Sequence, residues 1–175
     1  MSADVLAGYA QVFARLCDGD QLYDQINALV RGMAMNNLMF AADDWRGMGS
    51  GKHGLWAQPV PYVNVMVAGA LQEALVQSTP TLIHLLPAVP AELGKGALSG
   101  FQTRASVEVA MEWDIPRGTL SVKLKAKRAT TIDVQLPKTA KPPKKVDAQK
   151  FDDLRGLLIG LKLAANKVVQ LDIKF

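Results

Sequence analysis

The sequence predicts an α+β fold, with three helices leading into an antiparallel sheet of about five strands. Three observations carry this. Before residue 78 the apolar residues recur at the helical period, and after residue 97 they alternate with polar ones. Between the two lie a break at Thr79-Pro80-Thr81 and an apolar run at residues 82–86, stopped by Pro87 and Pro90.

In the first third of the chain, Val5, Leu6, Tyr9, Val12, Phe13 and Leu16 form a stripe predicted to be the buried face of a first helix. Asp18-Gly19-Asp20 ends it, with Gly19 free to take a positive φ and Asp20 placed to cap a second helix. The second stripe is Leu22, Ile26, Leu29, Val30 and Met33, and the short connection makes the two an antiparallel hairpin. Cys17, the only cysteine, excludes an internal disulfide and reads as a small buried apolar residue. A third helix is expected over residues 66–77, with Pro59 and Pro61 barring its backward extension.

Further on, Ala105, Val107, Val109, Met111 and Trp113 alternate with polar residues, as a half-buried strand does. Residues 114–118 are turn chemistry, and Leu120, Val122, Leu124 and Ala126 close a hairpin with lysines opposite glutamates. Ile132, Val134 and Leu136 predict another strand, and Val169, Leu171, Ile173 and Phe175 the last. Residues 138–145 read as an exposed Lys/Pro linker. Residues 151–163 are ambiguous, since Gly156 and Gly160 argue against a helix.

Composition narrows the function classes. The chain has 175 residues, 49% hydrophobic and 21% charged, which are globular values. No apolar run approaches the roughly 18–20 residues of a membrane span. No signal peptide is visible, and the compartment stays open. Residues 138–175 carry nine basic and four acidic side chains, but no stacking aromatics interleave with Lys138, Lys141, Lys144 and Lys145. Nucleic acid is therefore not the expected partner.

From residue 36 to 61 the periodic pattern collapses into glycines, Asp43-Asp44, Trp45, His53 and Trp56. A long loop in a compact domain, when ordered, is usually functional. Tryptophan faces suit the C–H surfaces of sugar rings, yet Trp45 and Trp56 equally fit as plugs at the end of a helical core. Adjacent carboxylates point different ways, so Asp43-Asp44 does not read as a metal site; no cofactor is implied.

Three stretches carry a resemblance. Arg15-Leu16-Cys17-Asp18-Gly19-Asp20 followed by Leu22-Tyr23 resembles an "ARL-x-DG" helix-turn-helix. Leu75-Val76-Gln77-Ser78 with Ile83-His84-Leu85-Leu86-Pro87-Ala88-Val89-Pro90 resembles "LLQS…IHLLPALP", and Gly96 to Trp113 resembles "G-x-V-x-G-L-x-A-R-G…V-x-W". All are patterns of the C-terminal part of glycoside hydrolase family 95, the α-L-fucosidase family. The resemblance implies that residues 1–78, with the loop 36–61, are closing helices of an (α/α)6 toroid. Residues 79–175 would then form an antiparallel, β-sandwich-like C-terminal domain.

The family's reaction is inverting hydrolysis of terminal α-L-fucose, in which a glutamic acid protonates the leaving oxygen while asparagines and an aspartate position water. The aspartate's motif, "Q-x-D-[GA]-N-x-G", counts back without gaps onto residues 60–66. Asn64 keeps its asparagine, but Tyr62 stands where the aspartate belongs. A phenol keeps its proton at neutral pH and cannot do a carboxylate's work.

The resemblance thus implies a C-terminal fragment that is not catalytically competent alone, with no catalytic residue of its own. Its sugar-facing residues would be Trp45, His53, Trp56, Tyr62 and Asn64. Its partners would be carbohydrate, a fucosylated glycan in the parent family, and an upstream polypeptide or second copy completing the barrel. The alternatives are a non-catalytic carbohydrate-binding or assembly module, a basic domain holding an acidic polymer, and an enzyme with rearranged acids at Asp43 and Asp44.

Overall fold

A computed structural model describes residues 1–54, 57–137, 139–141 and 156–175, and the backbone of 148–150. Trp56 and most of the Lys/Pro segment lie outside the described residues. The chain forms two compact units: Met1–Leu75 with Pro87–Ala91, and Val76–Leu86 with Glu92–Phe175.

The first unit is helical, with α1 (Ala3–Arg15), α2 (Gly19–Met33) and α3 (Pro61–Leu75). Helix α1 packs against both others, while α2 and α3 barely meet. That position turns most of the predicted face of α1 outward, keeping Leu6 buried and Phe13 half-buried. Its buried residues are Ala3, Leu6, Ala7, Ala10 and Ala14, while Val5, Tyr9, Val12 and Leu16 are exposed. Alanines let two neighbours approach closely, and the bulkier stripe is left facing solvent. The α1–α3 contact is tied by Gln11 Nε2, which donates to the Met66 carbonyl at 3.2 Å.

The α1–α2 turn also departs from expectation. The positive φ falls on Cys17 (60°), which is exposed, and Asp18 rather than Asp20 caps α2 by accepting the Gln21 N–H at 3.0 Å. Gly19 is instead needed for close approach, because a Cβ there would lie 2.9 Å from the Ala88 carbonyl oxygen. Helix α3 starts at Pro61, five residues earlier than predicted. Proline at the first helical position loses only an N–H that has no intrahelical partner. Among the described residues no helix is long and apolar enough to cross a membrane.

Among its described residues the second unit is built of strands, apart from the end of a 3₁₀ turn, Ala91–Leu93. Its strands are β1 (Val76–Ser78), β2 (Leu82–Leu85), β3 (Lys95–Gln102), β4 (Val107–Asp114), β5 (Thr119–Ala126), β6 (Thr130–Leu136), β7 (Ala148–Lys150), β8 (Leu157–Leu163) and β9 (Val168–Lys174). Among the described residues there are thus nine strands, against about five expected, and they form two sheets, ordered β1-β2-β6-β8-β7 and β3-β4-β5-β9. The first sheet is mixed rather than antiparallel, since β2 and β6 run parallel. The chain leaves the first sheet after β2, builds β3, β4 and β5 of the second, and returns as β6. The ambiguous segment becomes β8 from Leu157 on, its residues 151–155 lying outside the described set.

Strands β4 and β5 of one sheet and β8 of the other bury alternate residues. Val107, Val109, Met111 and Trp113 of β4 face inward with Leu120, Val122, Leu124 and Ala126 of β5. In the other sheet Ile83, Val134 and Ile159 align across three strands on a buried face. Gly96 pairs with Trp113, and a Cβ at Gly96 would run into the indole, whose Nε1 donates to the Leu93 carbonyl at 2.8 Å. The predicted glutamate–lysine ladder is reduced to one register pair, Glu108 opposite Lys125, with no ion pair between them among the described residues. The hairpin's ion pairs gather instead on Asp114, from Lys95 at 3.5 Å and Arg117 at 3.6 Å.

Candidate functional site

The loop between α2 and α3 is ordered by short backbone bridges. Ala34 pairs with Phe40, Ala41 with Pro59 and Asp44 with His53. The Ala3 N–H donates to the Ala42 carbonyl at 2.8 Å, joining the loop to the start of α1.

Its organiser is Asp44, only 1% exposed. One carboxylate oxygen accepts the Met48 N–H at 3.1 Å and the other accepts the Ser50 N–H at 3.0 Å. Gly47 and Gly49, with φ of 66° and 76°, let the backbone curl around the carboxylate. Gly32 of α2 makes room for it, as a Cβ there would lie 2.9 Å from Asp44 Oδ1. Burial alone would raise the pKa of this carboxyl. The N–H groups of Met48, Ser50, Gly49 and Gly47 outweigh that effect and hold it below 3.8. A general acid needs the opposite shift. Asp44 is therefore built to fold the loop and is poorly suited to donate a proton.

Two of the sequence-derived residues gather around Asp44. His53 is exposed, and its Nδ1 lies 2.9 Å from the Asp44 carbonyl oxygen. Trp45 is half-buried with the Arg46 guanidinium 5.1 Å from its ring centroid. Its Nε1 is buried and has no hydrogen-bond partner among the described residues. The next two residues sit on the first turn of α3. Tyr62 is 53% exposed, and Asn64 donates through Nδ2 to the Leu38 carbonyl at 2.7 Å. The Asn64 Oδ1 is buried and unpartnered among the described residues. The structure thus joins Trp45 and His53 around one carboxylate, and ties Asn64 to the other end of the loop.

The sequence reading missed Asp44 as the anchor. A signal was available: an aspartate followed at three and five residues by glycine is a chain able to wrap its own carboxylate.

Residues 77–169, from β1 into β9, match the glycoside hydrolase family 95 C-terminal domain. The chain belongs to glycoside hydrolase family 95. No curated protein matches it. The family-95 match spans both sheets of the β unit, including the His84 and Trp113 strands, and the loop around Asp44 precedes it.

In the β unit His84 is half-buried on β2, between Gln77 of β1 and Gln135 of β6. Burial lowers its pKa to about 4, so the ring is neutral at physiological pH. Among the described residues no group of three or more His, Cys, Asp or Glu side chains converges to hold a metal ion.

Proposed function

We propose that this chain serves α-L-fucoside hydrolysis as the C-terminal part of a family-95 enzyme and does not turn substrate over by itself. Helices α1–α3 are the closing helices of a toroid, and the general acid and water-positioning asparagines come from a polypeptide outside this sequence. One observation carries the reading. Val5, Tyr9 and Val12 on α1, Leu16 at its C-cap, and Tyr62 and Val65 on α3 leave large apolar side chains in solvent. Faces of this kind mark surfaces that another chain covers. Tyr62 at the matched aspartate position and the lowered pKa of Asp44 agree with the lack of independent catalysis. The test is hydrolysis of p-nitrophenyl α-L-fucoside by the chain alone and mixed with the polypeptide encoded upstream. Silence alone and turnover in the mixture are expected. Turnover by the chain alone overturns the proposal.

A second reading, a carbohydrate-binding module without catalysis, draws on the loop. Trp45 keeps part of its ring exposed in the loop beside Arg46, and an indole face suits the C–H surface of a sugar. This reading expects Trp45 fluorescence to change with saccharide while no turnover occurs in either mixture. A Trp45→Phe variant that keeps the full fluorescence change removes it.

A further inference from the structure

The β unit holds a cleft of about 320 Å³ on its mixed sheet, lined by residues of β2, β6, β8 and the turn before β2. Ligand pockets run from roughly 300 to 1,000 Å³, so the cleft suits a small ligand. From this cleft we infer a saccharide subsite, separate from the loop around Asp44.

The donor set selects the ligand class. Asp133 and Gln135 line the cleft two residues apart on β6, so both project from the same face. The Asp133 carboxylate has no hydrogen bond or ion pair among the described residues. Its cross-strand partner is Gly160, which presents no side chain beside the exposed carboxylate. The Thr79 hydroxyl oxygen already accepts the N–H groups of Leu82 at 3.0 Å and Thr81 at 3.3 Å. Its own hydrogen is left to donate outward. Leu158, paired with Gln135, and Leu82, paired with Asp133, add apolar surface.

Among the described residues no lysine or arginine lines the cleft, and the Asp133 carboxylate disfavours an anion beside it. One carboxylate is too few for a bound cation, which takes six to eight oxygens as calcium and about six as magnesium. A neutral polyol is what remains: hydroxyls that donate to Asp133 and accept from Thr79, with a C–H face against Leu158. The inference rests on the family's carbohydrate substrates but not on the loop site or on catalysis.

The test is an amide ¹⁵N–¹H titration of the full chain with methyl α-L-fucopyranoside and the methyl glycosides of galactose, glucose and mannose. Millimolar binding is expected, with shifts at residues 79–82, 133–135 and 156–158. Asp133→Ala should weaken it at least about tenfold, the equivalent of 1.4 kcal/mol, and Trp45→Phe should leave it unchanged. Asp133→Asn, a shape-preserving change, is the second variant. Shifts confined to residues 43–54 overturn the subsite and leave the loop reading standing. Shifts that survive both Asp133 variants, or none with any glycoside, also overturn it.

Discussion

The two units handle large apolar side chains in opposite ways. Of the thirteen that are exposed among the described residues, ten belong to the helical unit, including Val5, Tyr9 and Val12 along one side of α1 and Leu16 at its C-cap. The β unit exposes three, Leu93, Ile115 and Val168. Strands β4, β5 and β8 bury every second residue, and Val122, Leu124, Val134 and Ile159 are wholly inaccessible. Burying a valine or leucine completely is worth about 1.5–3 kcal/mol. The β unit collects that stabilisation within itself, and the helical unit leaves much of it uncollected.

The sharpest way to break this comparison is a pair of truncations. Leu124→Ala in β5 should cost about 2–5 kcal/mol, because it opens a cavity in a closed core. Val12→Ala on the open face of α1 should stay within about 0.5 kcal/mol. Urea unfolding of both variants decides it. Equal losses would mean that the α1 face is covered in the isolated chain.

Acid separates the units next. The folded pKa of His84 is depressed from 6.5 to about 4, so the unfolded chain binds a proton that the folded chain refuses between those values. Stability of the β unit should therefore fall as pH drops from 6.5 to about 4 and level off below, by at most roughly 3 kcal/mol. His84→Gln should flatten that stretch of a plot of urea midpoint against pH. A slope that survives the substitution assigns the titration to another group.

In the helical unit the effect is smaller and starts lower. The Asp44 carboxyl is held below 3.8, so its contribution is complete above that value and is lost as pH falls through the lowered pKa. Trp45 fluorescence should report the loop coming apart in that acid range, and Asp44→Asn should show the released loop already at neutral pH. An unchanged spectrum would mean that the loop holds without its carboxylate.

The smallest effect belongs to the Arg15–Glu73 pair, 3.2 Å apart between α1 and α3 with the arginine side chain 63% exposed. Arg15→Ala should change stability by no more than about 0.5 kcal/mol, and less at high salt.

Legibility followed how local each cause was. The alternation in β4 and β5 was plain, because neighbouring side chains on a strand point to opposite faces whatever surrounds them. The face of α1 was misread because two stripes share the helical period, one of large residues and one of alanines, and packing against two helices favoured the small one. The predicted cap moved from Asp20 to Asp18 because α2 begins at Gly19, whose bare Cα also lies close against Ala88. Asp44 looked like one of two adjacent acids until the glycine-rich backbone was seen to wrap it. Trp45, His53, Tyr62 and Asn64 were picked by residue type, and their grouping needed coordinates.

By itself the sequence determined the helix-to-strand switch and the strands of the central hairpin. These depend on period and proline geometry, whereas the packing of the Trp113 ring against Gly96 needed the pairing of β3 with β4. Only the tertiary structure decided which side of α1 is buried, that β6 returns beside β2 in parallel, and that one aspartate folds the loop while another opens onto a cleft. Those outcomes depend on which distant segments compete for the same surface, and local periodicity carries no record of that competition.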